Sequence, residues 1–382
     1  MKRVIAALCF TVLMISMTTL GSLSVSASQY WTDEGMPVKN HAYTFVFVGD
    51  TQTLTEFDVK NGTKNLDTLY SWIADNAKEK KIEFVFGLGD ITEHSWASEW
   101  TYATSCIFKL NGIVPYSMVR GNHDGSGGYN NAFNTDAYKD KFEEFYGNTL
   151  ANSYRLLDVA NDKYLLITMD FGASDSVLNW ANAIIRKHRD RRVIVTTHGY
   201  LDNNGVPLND QTASFGTPMA NNGEELWEKC FSKHKNMFLI ACGHDSADNV
   251  QYTLKKGVYG NTVINILTDP QDWDLGRPSG LILLLNFSSD GKTFSMEYYS
   301  TVVGKYKKGN QQTKTIINLA NKPVIYDMTT TVATTTTEAT EAQTTATEES
   351  SGCGAAISAT VIGACSIGTA LATFAMRKRN DD

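Results

Sequence analysis

The chain has 382 residues, 42% of them hydrophobic and 20% charged, enough for one large α/β domain with appendages. Its formal charge of −7, with no Lys/Arg cluster in the central part, excludes a nucleic-acid backbone as the main partner, because neutralising phosphates needs concentrated positive charge. Six cysteines without CxxC spacing exclude a thiolate metal cluster and are too few for a disulfide framework; buried free thiols are expected, with Cys230 and Cys242 the pair to test.

Met1, Lys2 and Arg3 precede an uncharged run from Val4 to Leu20 and small residues ending at Ala27, which reads as a secretory signal peptide over 1–27. Tyr43 to Val48 is an almost continuous apolar run, expected as a strand buried on both faces. Leu66, Leu69, Tyr70, Ile73, Ala74 and Ala77 carry helical spacing within Asn65 to Lys80. Ile82 to Leu88 is a second strand, Ser95 to Leu110 a helix and Val114 to Val119 a third strand. Asn134 to Tyr146 is expected to be helical, and Ser153 to Val159 with Lys163 to Met169 to form a hairpin. A helix over Asp175 to His188 leads to a strand over Arg192 to Thr197. The Gly- and Asn-containing stretch from Asn203 to Asn222 is expected to overhang a site. Glu224 to His234 reads as helix, then Met237 to Cys242, Val250 to Leu254, Thr262 to Leu267, Gly280 to Phe287 and Phe294 to Ser300 as strands. Strands crowd towards the C-terminal side, which points to two packed sheets flanked by helices.

The globular unit is therefore placed at 28–303, with a polar extension over 304–328. Residues 329–354 are rich in Thr and Glu, with eleven threonines in the 21 residues from Thr329 to Glu349, a composition that cannot bury a core. An uncharged run of 22 residues, Ala355 to Met376, is long enough at about 1.5 Å per residue to cross a hydrocarbon layer of about 30 Å. The basic residues of 377–382 would hold its end on the cytoplasmic side. The expectation is a single membrane anchor with the body on the extracellular face; the other reading of that run is a processed sorting segment.

Ligand-type residues stand at the ends of five of these strands: Asp50 in VFVGDTQ, Asp90 in VFGLGDITEH, Asn122 in RGNHD, His198 in IVTTHGY and His244 in GHDS. In open α/β sheets ligands collect at such carboxyl edges, and mixed oxygen and nitrogen donors suit a borderline divalent ion. Taken singly, a Gly-Asp pair is a turn and a buried His a hydrogen-bonded core residue. Five at five strand ends read as a metal centre.

GDTQ, GLGD, RGNHD, TTHG and GHDS, in this order, resemble the blocks of the calcineurin-like metallophosphoesterase family over roughly Ala42 to Ser300. The resemblance implies a four-layer α/β/β/α sandwich of two mixed sheets, carrying two divalent metal ions (Mn, Fe or Zn) at the strand edge. It implies that Asp90 bridges the ions, that Asn122, His198 and His244 complete the second, and that Asp50 binds the first. It also implies that His123 lies beside the substrate as a stabilising or proton-donating group, with Asp124 orienting its imidazole. The chain departs from the family pattern twice: Gln52 stands where the first block usually has His, as it does in a branch of the family, and Ser246 where the last block has a second His. Both losses fall on the first ion. That site is left with Asp50, Asp90, the Gln52 amide oxygen and Asp245, Ser246 or water, and is expected to be the weaker.

The function so implied is an exported, membrane-tethered phosphoesterase that attacks a phosphomonoester or phosphodiester with a metal-activated water. Its substrate would be a small molecule or a surface phosphoconjugate. The alternative is a surface binding module that keeps the fold and has lost catalysis.

Overall fold

Two β-sheets form the middle of the molecule. The computed structural model describes residues 30–210, 219–247, 249–271, 279–309 and 312–315. The chain divides into two units, Met1–Asp327 and Met328–Asp382. The second unit lies outside the described residues, and so do the expected signal peptide, the Thr-rich stretch and the apolar anchor run. Among the described residues no helix is long and apolar enough to cross a membrane.

The strands are β1 (Trp31–Thr32), β2 (His41–Val48), β3 (Ile82–Gly87), β4 (Tyr116–Met118), β5 (Glu144–Phe145), β6 (Ser153–Val159), β7 (Asp162–Thr168), β8 (Arg192–Thr196), β9 (Met237–Cys242), β10 (Gln251–Lys256), β11 (Thr262–Leu267), β12 (Leu281–Ser288), β13 (Thr293–Ser300), β14 (Lys305–Lys307) and β15 (Gln312–Thr315). One sheet runs β1-β14-β13-β12-β2-β3-β4, with β15 paired to β13; the other runs β10-β11-β9-β8-β7-β6-β5. Both are mixed. In the first, β2, β3 and β4 are parallel while β12 joins β2 antiparallel. In the second, β7, β8, β9 and β11 are parallel, with antiparallel pairs at either end.

The period-2 alternation of each strand decides which layer a side chain enters. On β2, Phe45 and Phe47 face the other sheet while Val46 and Val48 face helices; on β3, Phe84 and Phe86 face inward and Val85 outward. The interior between the sheets is thus rich in aromatic rings, with Phe47 and Phe86 stacked at 4.7 Å and Tyr164, Phe238, Leu283 and Phe287 closing around them. Each such ring is wholly buried, and truncating one to Ala costs about 3–5 kcal/mol. Outside the first sheet, Leu66, Leu69, Tyr70 and Ile73 of the helix Asn65–Asn76 pack with Ala103 and Ile107 of the helix Ala97–Ile107. Outside the second, Val177, Leu178, Ala181, Ile184 and Ile185 of the helix Asp175–Lys187 do the same against Val193 and Val195. Helices, sheet, sheet, helices: the four-layer sandwich is the architecture.

Several elements differ from expectation. β14 and β15, within the stretch 304–328 expected as a polar extension, pair with β13 in the first sheet. A helix Ser126–Ala132 was not expected, and the helix expected over Glu224 to His234 is Gly223–Lys229. The stretch from Asn134 to Tyr146 holds only a short helix, Thr135–Tyr138, and then β5. Glu144 is captured by Tyr154 of β6 and by the indole of Trp180, which donates to its carboxylate at 2.8 Å, so tertiary pairing overrides the local helical pattern. The helix Gln52–Asn61 was not legible, because its buried face includes the polar Gln52, Thr55 and Asp58. The burial of Asp58 is satisfied by partners beyond its own helix: it accepts from the Leu66 N–H at 2.7 Å and the Tyr102 hydroxyl at 2.8 Å. Cys106, Cys230 and Cys242 are buried free thiols.

Candidate metal centre

The two sheets deliver the carboxyl ends of β2, β3 and β4 on one side, and of β8, β9 and β11 on the other, to a common edge. Asp50 follows β2 and Asp90 follows β3; Asn122 and His123 follow β4, His198 follows β8 and His244 follows β9. All five of the residues expected as strand-end ligands meet there, together with Gln52, the first residue of its helix.

The approach of the strand ends is so close that glycine is required beside the carboxylates. A Cβ on Gly121 would stand 2.0 Å from Asp90 Oδ1, and one on Gly243 would stand 1.9 Å from Asp50 Oδ1. Asp90 and His244 themselves hold left-handed backbone, with φ of 44° and 79°. That conformation costs a non-glycine residue on the order of 1–3 kcal/mol and concentrates where geometry serves a site.

The His198 ring organises one half. Its Nδ1 donates to the Leu88 carbonyl at 2.9 Å, which turns Nε2 towards Asp90 Oδ2 at 3.1 Å, Asn122 Oδ1 at 3.0 Å and His244 Nδ1 at 3.2 Å. Three of these groups, Asp90, His198 and His244, offer ligand atoms all within 4.8 Å of one another. Separations of about 3 Å are those between neighbouring donors around an ion bound at roughly 2.0–2.1 Å. Phe171 lies against both imidazoles, at 5.6 and 5.2 Å between ring centroids, and keeps this half dry.

The other half consists of oxygen atoms. Asp50 Oδ2 accepts the His244 backbone N–H at 2.9 Å, and the Gln52 amide nitrogen donates to Asp90 Oδ2 at 3.3 Å. Asp50 Oδ1 and Gln52 Oε1 are buried and have no hydrogen-bond partner among the described residues. Buried acceptors left in that state call for a donor or a cation. The residues present therefore fit the divalent ions that the sequence blocks imply, in both halves.

Electrostatics say the same. Burial, then the neighbouring carboxylates Asp269 and Asp90, push the Asp50 carboxyl well above the usual range, against the single N–H from His244. Burial pushes Asp124 up to about 6 and Asp269 up to about 7. Burial and the adjacent His198 push the His244 imidazole down to about 3, so it is a neutral donor. Burial opposes charge on both partners of the Asp90–His198 pair, but their mutual attraction outweighs it, leaving Asp90 below and His198 above the ordinary value. This edge carries more negative charge than its own side chains neutralise.

His123 sits at the mouth, its side chain 36% exposed. Its backbone N–H donates to Asp90 Oδ1 at 2.9 Å, and its Nδ1 donates to the Glu93 carbonyl at 2.8 Å. That leaves Nε2 as the atom facing outward. Burial works against a charged ring here, but the Glu93 carbonyl and the carboxylates of Asp90 and Glu93 raise its pKa on balance. Asp124 does not orient this imidazole. Its wholly buried carboxylate accepts from the N–H groups of Ile91, Thr92 and Gly121 and from the Thr92 hydroxyl, at 3.0–3.1 Å. It clamps the turn after β3 to the turn after β4; Glu93 holds the ring instead.

Other residues fall outside the centre. Asp245 accepts from the Asn203 N–H at 2.7 Å, turned to the following loop. Tyr200 is buried in the outer core with its hydroxyl on Asn265, and His94 stacks on Trp96. The middle of the loop expected to overhang the site, 211–218, lies outside the described residues. The sequence reading did not find Glu93, Phe171, Asp269 or the ion pair of Arg120 with Asp170 at 2.8 Å, which ties the ends of β4 and β7 together across the edge. Only Asp269 carried a signal, an acidic residue just past a buried strand, and no glycine precedes it.

The chain is 29% identical over 225 residues to the uncharacterized protein YvnB of Bacillus subtilis (strain 168), a match covering 56% of this chain and 16% of that protein. Among solved structures it is similar to a dimetal phosphatase from Danio rerio, with a TM-score of 0.48 and 14% identity over 72% of this chain and 99% of that one. It is also similar to the purple acid phosphatase PPD1 from yellow lupin (Lupinus luteus) seeds, with a TM-score of 0.45 and 15% identity over 73% of this chain and 55% of that one. The family model for calcineurin-like phosphoesterases matches residues 43–262, a span that takes in every expected strand-end ligand from Asp50 to His244. With that span covering more than half of its length, the chain belongs to the calcineurin-like phosphoesterase family, a family of phosphoric ester hydrolases.

Proposed function

We propose that the chain is an exported, membrane-tethered, metal-dependent phosphoesterase that hydrolyses a phosphomonoester or phosphodiester outside the cell. The observation that carries the catalytic part is the convergence of Asp90, Asn122, His198 and His244 at 3.0–3.2 Å beside a half-exposed His123. Asp90, Asn122, His198 and His244 would hold one divalent ion, and Asp50, Gln52 and Asp90 the other. When bound, such a pair supplies positive charge against the anionic ester and lowers the pKa of a water to make a nucleophile at neutral pH.

The chain's own residues do the rest. Asp90, fixed by the His123 backbone and the Gln52 amide, keeps both halves in register. Asp124 locks the two turns that carry Asp90 and His123. With Nδ1 committed to the Glu93 carbonyl, a protonated His123 presents its Nε2–H to a phosphoryl oxygen or to the departing alkoxide, and returns to neutral as that oxygen takes the proton. Export and tethering are supported by the apolar runs at 4–20 and 355–376 and by the basic residues that follow the second.

The test is hydrolysis of nitrophenyl phosphate and bis(nitrophenyl) phosphate by the detergent-purified full chain with Mn, Fe, Zn or Mg. Metal-dependent turnover that His123→Ala removes supports the reading. Equal inactivity of wild type and His123→Ala with every metal hands the chain to the binding-module alternative. Protease shaving of intact cells tests the location: a body that resists digestion until the cells are lysed is not outside.

A further inference from the structure

We propose that Asp269 is a ligand of the first metal ion, supplying a further donor in place of the imidazoles that the departures at Gln52 and Ser246 remove from that site. This rests on the two-ion reading above. Asp269 lies outside the five blocks that carry the family likeness, and beyond residues 43–262 matched by the family model.

Its position follows from strand register. β11 runs parallel to β9 with Leu267 opposite Cys242, and the ladder continues past both strands: the Thr268 N–H donates to the Cys242 carbonyl at 3.0 Å, and the Ala247 N–H to the Asp269 carbonyl at 3.0 Å. Two residues beyond Cys242 stands His244; two beyond Leu267 stands Asp269. Across the edge, the Thr268 carbonyl lies 2.0 Å from where a Gly49 Cβ would be, so the end of β11 is pressed against the end of β2, next to Asp50. The side chain of Asp269 is 0% exposed, and its carboxyl lies within hydrogen-bonding reach of the Asp50 carboxyl.

A cluster of acids alone would not make a site. Here two further buried oxygens, Asp50 Oδ1 and Gln52 Oε1, have no partner, and the residues bearing them are each 3% exposed. Among the described residues no Lys or Arg pairs with Asp50 or Asp269; the Asp269 carboxylate accepts only from the Gln271 N–H at 3.1 Å and the Gln271 amide at 3.3 Å. Two carboxylates in contact in a dry interior hold either a shared proton or a cation. With Asp90 and the Gln52 amide oxygen they make an all-oxygen donor set, which prefers Mn or Mg to Zn.

The experiment is Mn(II) binding to the purified full chain, by metal analysis after dialysis and by titration followed in the EPR spectrum. Wild type is expected to take two ions, one weaker than the other. Asp269→Asn, isosteric and uncharged, is expected to weaken one ion at least about 100-fold, since even residues behind a ligand are worth about 10- to 100-fold, and to leave the other unchanged; Asn122→Ala should show the reverse. Two ions in Asp269→Asn at wild-type affinities overturn the proposal while the two-ion reading stands. No stoichiometric ion in wild type overturns the two-ion reading itself. Should Asp269→Asn not fold, anomalous scattering from Mn-loaded wild-type crystals decides: a peak bonded to Asp269 and Asp50 supports the assignment, and a peak away from Asp269 ends it.

Discussion

The two halves of the centre are built from opposite materials. Around His198, two imidazoles, an amide and a carboxylate form a shell whose donors already point at a common position, because the Leu88 carbonyl fixes one ring and Phe171 packs against both. Around Asp50 there is no imidazole; carboxylates and an amide oxygen crowd together, and burial drives their protonation up. The first half is organised by side-chain geometry and stands ready without an ion. The second is a concentration of carboxyl groups held in place by backbone, whose charge a shared proton or a cation would relieve. On the two-ion reading proposed above, exchanging nitrogen for oxygen at one position would shift metal preference there and leave the other unchanged.

The most damaging way to break the comparison is His198→Ala. It removes the ring that three other donors face, and we expect loss of the tighter ion and a fall in turnover of at least about 10³-fold, read by metal analysis and nitrophenyl ester hydrolysis. His123→Ala should cost about 10²- to 10⁴-fold in kcat while both ions stay; loss of an ion would mean that the His123 side chain belongs to the metal shell. Gly243→Ala attacks the oxygen half through backbone, since the new Cβ meets Asp50 Oδ1 at 1.9 Å. A stability loss of about 1–3 kcal/mol is expected, together with selective weakening of the first ion. Gln52→His sharpens the contrast by returning an imidazole to that half. Its first ion should bind Zn more tightly relative to Mn, and an unchanged ratio would show that side chain 52 does not reach the ion.

A control imidazole sets the smallest effect. His234 is buried like His244 but donates to Asn182 Oδ1 at 2.6 Å instead of facing the expected ligands. Burial, then nearby arginine and lysine charges, push it down to about 4 from 6.5. Because the folded state disfavours its proton, the stability it contributes is present above pH 6.5 and is lost as pH falls towards 4, a total of about 3 kcal/mol at most. Chemical denaturation between those pH values should show a shallower loss in His234→Gln than in wild type, with or without metal. A slope that changes on metal loading would assign the pH effect to the centre instead.

The strand-end residues were legible because a buried parallel strand is an uninterrupted apolar run, and its polar terminator stands out against it. For the same reason the aromatic and β-branched runs gave the sheets and the helices at 65–76 and 175–187 nearly to their ends. The helix Gln52–Asn61 was hidden by buried polar residues whose partners, such as Tyr102 for Asp58, come from elsewhere in the chain. The Asn134 to Tyr146 stretch misled because strand pairing to β6 is a long-range choice.

By itself, then, the sequence determined the family, the layer order and the five strand-end residues that meet at one edge, since these rest on local periodicity and on residue type at strand ends. Only the tertiary structure decided that Glu93 rather than Asp124 holds the His123 ring, that Arg120 and Asp170 tie the two sheets, and that Asp269 lies against Asp50. Those contacts span 30, 50 and 219 positions of the chain, distances over which no local pattern carries information. Packing of the two sheets face to face brings them together.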